Sequence, residues 1–447
     1  MMRDRKIWTR RAALLGGAGL LSGCGLLDGV FGDSKPPLPG ERHSVLTAQR
    51  ELAADAGIAG RPVALPPPQA RAEWPQPGGG ATHDAGHNAV GPRLAEAWRA
   101  SVGTGSSYRR RITAGPVIAQ GTVFAADAYG VVSAFDLASG GRRWRFDTRP
   151  EDDDTGAVGA GCAFADGTLY VATGMAEMLA LDPATGAVRW RVRLPAPTRG
   201  APAVADGRIF IPTIENQLLG LSAQDGKRLW AYRAQPTTAV PLGLPAPAVE
   251  GEFVVAGFPS GELVALRPED GRVLWTESLA GQGLRGLGDI SGVRGLPVIH
   301  QGRVYAMGMG GTSMAVDLRS GRRLWEREVG GTASPVAAGE WLFLVGANGE
   351  LLAVGREDGR IRWISELNAP APGQKKQDPA YFATPILAGG QIVLPGSGGE
   401  ALLVDPAEGQ VAGRLRLPGG TLLPGAVAQQ TLVLLTDDGT LVAYRGG

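Results

Sequence analysis

Apolar residues along most of this chain come in short β-branched and aliphatic runs, such as Val123-Phe124-Ala125, Leu169-Tyr170-Val171 and Ile209-Phe210-Ile211. Each run sits beside a two-residue turn signal: Gln120-Gly121, Asp166-Gly167, Asp206-Gly207, Glu250-Gly251, Gln301-Gly302, Ala338-Gly339 or Gly389-Gly390. Runs this short, flanked by such pairs, predict the strands of antiparallel hairpins. Downstream lies a glycine-bounded strand that ends in a small residue, as in Gly130 to Ala134, Gly261 to Ala265, Gly349 to Ala353 and Gly439 to Ala443. Ala176 and Asn216 stand at that glycine position in the second and third copies. Asn accepts the positive φ such a turn demands.

After the small residue comes an Asp-x-x-x-Gly turn and, four residues beyond its glycine, a tryptophan: Gly140 and Trp144, Gly186 and Trp190, Gly321 and Trp325. The same spacing recurs at Gly226 and Trp230, Gly271 and Trp275, and Gly359 and Trp363. With Trp98, the tryptophans are separated by 46, 46, 40, 45, 50 and 38 residues, a mean of about 44. The 350 residues from Trp98 to the C-terminus hold close to eight such units, each of four short antiparallel strands. One four-stranded sheet cannot cover both of its faces, and a row of them closes only by circling back. The expectation is therefore an all-β, eight-bladed β-propeller of four-stranded antiparallel blades. The last copy stops near Tyr444 without a tryptophan strand, while Ala95 to Val102 supplies an orphan one around Trp98. That N-terminal strand should complete blade eight. Trp98, Trp144, Trp190, Trp230, Trp275, Trp325 and Trp363 are thus expected to be structural wedges between blades. Gly413 replaces the tryptophan of blade seven, so that junction should be looser or covered by another group.

Composition narrows the class without changing this picture. Gly 69 and Pro 33 of 447 residues make a turn-rich chain, and 44% hydrophobic residues suffice for a sizeable core. Residues 1–23 carry five basic groups and Asp4, leaving 39 Lys+Arg against 42 Asp+Glu, a net charge of −3, in the remainder. A body without basic excess lacks the stripe that neutralises phosphates, which argues against nucleic acid as a partner.

The basic stretch precedes an apolar run from Ala12 to Ser22, too short to span a bilayer, that ends in Leu21-Ser22-Gly23-Cys24. This tetrapeptide resembles the lipobox of bacterial lipoproteins, which implies that the Cys24 sulfur is acylated and becomes the mature N-terminus. Several acyl chains anchor stably where one does not. Gly25 is not the aspartate that retains such lipoproteins at the inner membrane, so the resemblance favours the outer membrane. Arg10-Arg11 also resembles a twin-arginine export signal, a generic basic region being the other reading. The expected organisation is a signal peptide over 1–23, a lipid-anchored extension and Pro/Gly-rich linker over 24–80, and the propeller over 81–447. The extension holds a short candidate helix, Thr47 to Gly57, and a stretch from Pro62 to Gly80 expected to be extended and hydrated.

Few residues suggest chemistry. With Cys24 acylated, Cys162 is the one cysteine left, so no intramolecular disulfide is available. Cys162 occupies the place of Pro116, Pro202, Pro247 and Pro297 in other copies and reads as a small buried strand residue. His83 and His87 are four apart, a metal spacing on a helix, but the surrounding glycines favour a capping or linker role. His43 is isolated, and His300, just before a turn, reads as a surface imidazole. Glu151 to Asp154 lacks the alternating ligands of a calcium loop and reads as a solvated connection between blades one and two. Gly308 to Thr312 has no following lysine and reads as a turn of blade five, and Gly311 to Ala315 lacks the last glycine of a nucleophile elbow.

The unit Ala-x-Asp-x-x-x-Gly-x-x-x-Trp resembles the repeat of quinoprotein-type propellers, and a lipobox ahead of such repeats resembles the BamB family of outer-membrane β-barrel assembly lipoproteins. The resemblance spans the lipobox, Pro37 to Leu46, and about Trp74 to Gly447. It implies a non-enzymatic, monomeric scaffold without cofactor or metal that docks on the POTRA domains of BamA beside other subunits of the assembly machine. The docking elements it implies are an acidic loop and a leucine/arginine segment. Leu287 to Arg294 stands at the first, with Asp289 at the first acidic position and Ser291 where a second aspartate is usual. Val240, Pro241, Leu242 and Leu244 stand at the second, without its arginine. Plain blade-connecting turns are the other reading of both loops.

Two alternatives stay open. Quinoprotein dehydrogenases share the repeat and bind pyrroloquinoline quinone with calcium in the central channel, but those of the alcohol type carry a vicinal cysteine pair that this chain cannot form. A propeller that holds a small ligand or glycan in its channel is the other. Glycan readers array aromatics on an open face, whereas the 7 Tyr and 10 Phe here fall mainly inside strands.

Overall fold

The computed structural model describes residues 52–150, 159–237, 240–280, 292–368 and 379–446. These hold 32 strands, which pair into eight four-stranded antiparallel sheets. Blades one to seven run in chain order over 117–147, 160–193, 203–233, 248–278, 298–327, 336–366 and 386–416. Blade eight takes 426–446 from the C-terminus and its outer strand, Leu94–Ser101, from the N-terminal side. That strand pairs antiparallel with Thr440–Gly446, Trp98 opposite Ala443, which closes the ring as the orphan tryptophan strand predicts. First strands of neighbouring blades meet around the axis and are buried. Fourth strands alternate exposed and half-buried positions at the rim.

The tryptophans interlock the blades. In six blades the tryptophan on the fourth strand docks on the glycine turn between the third and fourth strands of the next blade, and Trp98 of blade eight does the same to blade one. The seven indole Nε1 groups donate to turn carbonyls of Leu137, Pro183, Ala223, Pro268, Leu318, Arg356 and Pro406 at 2.7–3.3 Å. Inside the blade, rings such as Phe124, Phe210 and Phe343 tilt against the same indoles with centroids 5.8–6.1 Å apart. The turn's aspartate caps it locally: Asp136, Asp182 and Asp317 accept from the N–H groups of Ser139, Thr185 and Ser320 at 2.8–3.1 Å. Its glycine is required twice over. Gly271 has φ +72°, and a Cβ there would stand 2.6 Å from the Trp230 ring.

The junction from blade seven to blade eight explains Gly413. Blade eight has no turn between its third and fourth strands, because the two come from opposite ends of the chain. A tryptophan at 413 would have no glycine turn to dock on. Tyr444 of blade eight covers the junction instead, its buried hydroxyl donating to the Arg416 carbonyl at 2.8 Å.

The segment read as hydrated linker differs from that expectation beyond Gln69. Pro67 to Ala70 are exposed, but Trp74 and Gln76 are 3% and 6% exposed. From Arg71 to Asn88 the chain visits the inner strands in ring order. Arg71 O accepts from Gln429 N of blade eight, and Trp74 exchanges two backbone bonds with Ile118 of blade one. Pro75 O accepts from Phe164 of blade two, the Gln76 side chain brackets Val204 of blade three, Ala81 O accepts from Val249 of blade four, and Thr82 O from Ile299 of blade five. Asn88 then pairs with Leu387 and Gly389 of blade seven, and Gln69 bonds to His87 and Ala89 to close the circuit. An innermost strand has one edge without a partner strand, and buried backbone groups must be paired. This circular strap pairs them and seals that end of the channel. The candidate helix over Thr47 to Gly57 is reduced, among the described residues, to one 3-10 turn, Ala56–Ile58.

A matched pair of glycines tests the interlock. Gly302 has φ +73° and open space around its Cβ position. Gly302→Ala should cost about 1–2 kcal/mol for the left-handed backbone alone. Gly271→Ala should cost about 1–3 kcal/mol more, since it must also displace an indole. Chemical-denaturation midpoints of the two variants check this, and equal losses would remove the indole contact from the account.

Candidate docking face

Loops that enter the first strands converge on one end of the axis. They enclose a cavity of about 90 Å³ to which seven of the eight blades contribute, with Pro77 of the strap among its lining residues. Because the strap closes the other end, the cavity is a blind pocket that opens on the loop face. Its wall is mostly Ala, Leu and Pro, with the hydroxyls of Thr113, Ser334 and Thr384 and one cation, Arg294. Ser334 accepts from Leu296 N at 2.8 Å and Thr384 from Ser334 N at 3.0 Å, so these hydroxyls tie adjacent loops together.

The loop carrying Val240, Pro241, Leu242 and Leu244 lies on this face. Val240 and Pro241 are half-buried, and Leu242 is 45% exposed. Leu244 points inward at 5% exposure and lines the pocket, its N–H bonded to Arg199 O at 3.0 Å. Leu287, Asp289 and Ser291 lie outside the described residues, as do Cys24, His43 and Glu151 to Asp154. The chain re-enters at Gly292 and Val293, and Val293 is fully buried with its N–H on Phe258 O at 3.0 Å. Arg294 follows. Its guanidinium lies over Gly243, with Nε and Nη2 3.6 and 3.8 Å from where a Cβ on that glycine would stand. Arg294, the last residue of the second segment, thus packs on Gly243 of the first. Sequence spacing could not reveal this, because the residues are 51 apart and belong to different blades. Two more loops feeding the pocket present large apolar side chains to solvent, Tyr108 at 94% and Tyr381 at 57%.

The remaining candidates are structural. His87 accepts from Gly390 N on Nε2 at 2.9 Å and donates from Nδ1 to Pro66 O at 2.7 Å, so both ring nitrogens are committed. His83 has φ +60° and donates from Nδ1 to Pro297 O at 2.8 Å, serving a different blade from His87. His300 is more than a surface imidazole: its Nδ1 lies 2.7 Å from Asp84 Oδ2, fastening the strap to blade five. Cys162 is buried in the strand Ala160–Ala165, and burial pushes its thiol up to about 12, which makes it a poor nucleophile. Gly308 to Thr312 is the turn between strands Arg303–Met307 and Ser313–Asp317. Among the described residues no group of three or more His, Cys, Asp or Glu could hold a metal ion, and no helix is long and apolar enough to cross a membrane.

Fold and repeat together define an eight-bladed propeller of the quinoprotein-repeat class. The family model of outer membrane protein assembly factor BamB matches residues 89–152 and 128–365, and the chain belongs to that family. The BamB of Yersinia pestis is 29% identical over 163 residues, 36% of this chain and 42% of the relative, so the chain spans less than half the length of that relative. Among solved structures, BamB from Moraxella catarrhalis superposes with a TM-score of 0.67 at 19% identity, over 79% of this chain and 100% of that one. A quinohemoprotein alcohol dehydrogenase from Comamonas testosteroni gives 0.65 at 14% identity over 88% and 83%, a likeness of fold alone.

His83 yields a pH test. Burial pushes its imidazole down from 6.5 to about 4 despite the bond to Pro297. The unfolded chain therefore binds a proton between those values that the folded chain does not, and stability is lost as pH falls from 6.5 towards 4. The loss reaches about 3 kcal/mol at pH 4. Unfolding free energies across this range should show it, and His83→Gln should flatten that slope; an equal slope in the variant would assign the loss to other groups.

Proposed function

We propose that this protein is a non-catalytic scaffold of outer-membrane β-barrel assembly, held at the periplasmic leaflet by a lipid on Cys24 and docked on the POTRA domains of BamA as a single copy. The family match over residues 89–365 is the observation that carries this reading. The loop face supports it physically. A propeller keeps only short edges, so contacts come from loops, and this face joins the exposed Leu242 and Tyr381 to the Arg294 cation. Aromatic, aliphatic and arginine anchors around a recess are what interface hot spots are made of. Leu242 and Asp289 are the proposed outer contacts, with Val240, Pro241, Leu287 and Ser291 beside them. Leu244 acts from beneath by holding the loop. The rival dehydrogenase reading has the repeat in its favour, but its alcohol-type members carry a vicinal cysteine pair that this chain cannot form.

Pull-down from detergent-solubilised membranes tests the assignment. The native protein should recover BamA. Asp289→Arg with Leu242→Glu should lower that recovery at least about tenfold at unchanged melting temperature, because it removes an apolar anchor and inverts a contact charge. Unchanged recovery moves the contact off these loops. No BamA with the native protein, together with calcium-dependent dye reduction, would establish the quinoprotein alternative.

A further inference from the structure

Among the described residues Arg294, which is half-buried, has no hydrogen-bond or ion-pair partner, although it lines a pocket walled largely by apolar side chains. Burial, and after it repulsion from Arg111, hold its guanidinium below the ordinary arginine range, and Asp437 offsets this only in part. The guanidinium presents a planar fork of donors that matches a carboxylate. Around it, Ala114, Leu244, Leu296 and Leu423 offer apolar surface.

We propose that the recess on the loop face is a binding site for a small organic monocarboxylate, its carboxylate on Arg294 at the mouth and its short hydrocarbon tail against the apolar wall. Size sets the class. At about 90 Å³ the cavity is smaller than the roughly 150 Å³ that holds benzene, which points to acids of about two to four carbons. Phosphate or sulfate fits less well, since a dianion has no use for an apolar wall. The strap is part of the site, because without it the channel would be open at both ends. This inference is independent of BamA docking, for its readout needs no partner.

The test is a titration of the purified full-length protein in detergent with propionate, followed by saturation-transfer difference NMR of the propionate methyl group. Saturable transfer, competed by butyrate but not by the neutral isostere propionamide, is expected. Arg294→Gln should weaken it at least about tenfold, the scale of one lost charge-assisted pair. Arg294→Lys, which keeps the charge and loses the fork, should fall between native and Arg294→Gln, while the melting temperatures of all variants without ligand stay at the native value. Absence of saturable transfer, equal binding of propionate and propionamide, or native affinity in Arg294→Gln overturns the assignment. Displacement of propionate by sulfate at equal concentration would also overturn it, since the site would then take any anion.

Discussion

Everything in this molecule hangs on an indole meeting a glycine across a blade boundary. A four-stranded sheet has two faces to cover and only its neighbours to cover them with, so blades must be spaced by something of fixed thickness. The tryptophan ring is that spacer, and its Nε1 bond to the next turn adds direction to a contact that burial alone would leave loose. Seven such contacts fix the blades around one axis. The seam, where no turn exists to receive an indole, uses the Tyr444 hydroxyl instead. Once the ring is set, the short first strands converge, and the loops that feed them must share one small mouth.

The opposite end shows what a propeller leaves unfinished. Its innermost strands are three residues long in seven blades and carry backbone groups with no partner strand on the axial side. A segment of about twenty residues from the N-terminal extension supplies those partners in ring order, so that one stretch of irregular chain is bonded to seven blades. This arrangement has a cost that can be measured, the neutral buried His83. It also has a consequence: among the described residues the strap lies across one end of the channel, and the recess lies on the face with Leu242, Tyr381 and Arg294.

How the blades are made was legible in the residues, because each signal is local. The period of the tryptophans, the Asp-x-x-x-Gly turns and the orphan strand at Trp98 all act within one blade or its neighbour, and each specifies a backbone conformation that few other residues could adopt. Gly413 was visible as a break in that pattern, but its reason was not, since the missing turn follows from how the two chain ends meet. The strap was invisible for a similar reason. Pro, Gly and polar residues between Pro62 and Gly80 have the composition of a hydrated linker, and only the row of unpaired strand edges it lies against gives them partners.

By itself, then, the amino-acid sequence determined the architecture, the number of blades, the way the ring closes and the family, all of them consequences of short-range pattern repeated eight times. Tertiary structure decided the rest: that Arg294 reaches Gly243 from another blade, that Leu242 faces water while Leu244 faces the channel, that His300 answers Asp84, and that one end of the channel is shut. Those are relations between residues 2 to 358 positions apart, or between opposite faces of one short loop. No local periodicity encodes them, because they arise only when closure of the ring brings eight blade ends to the same place.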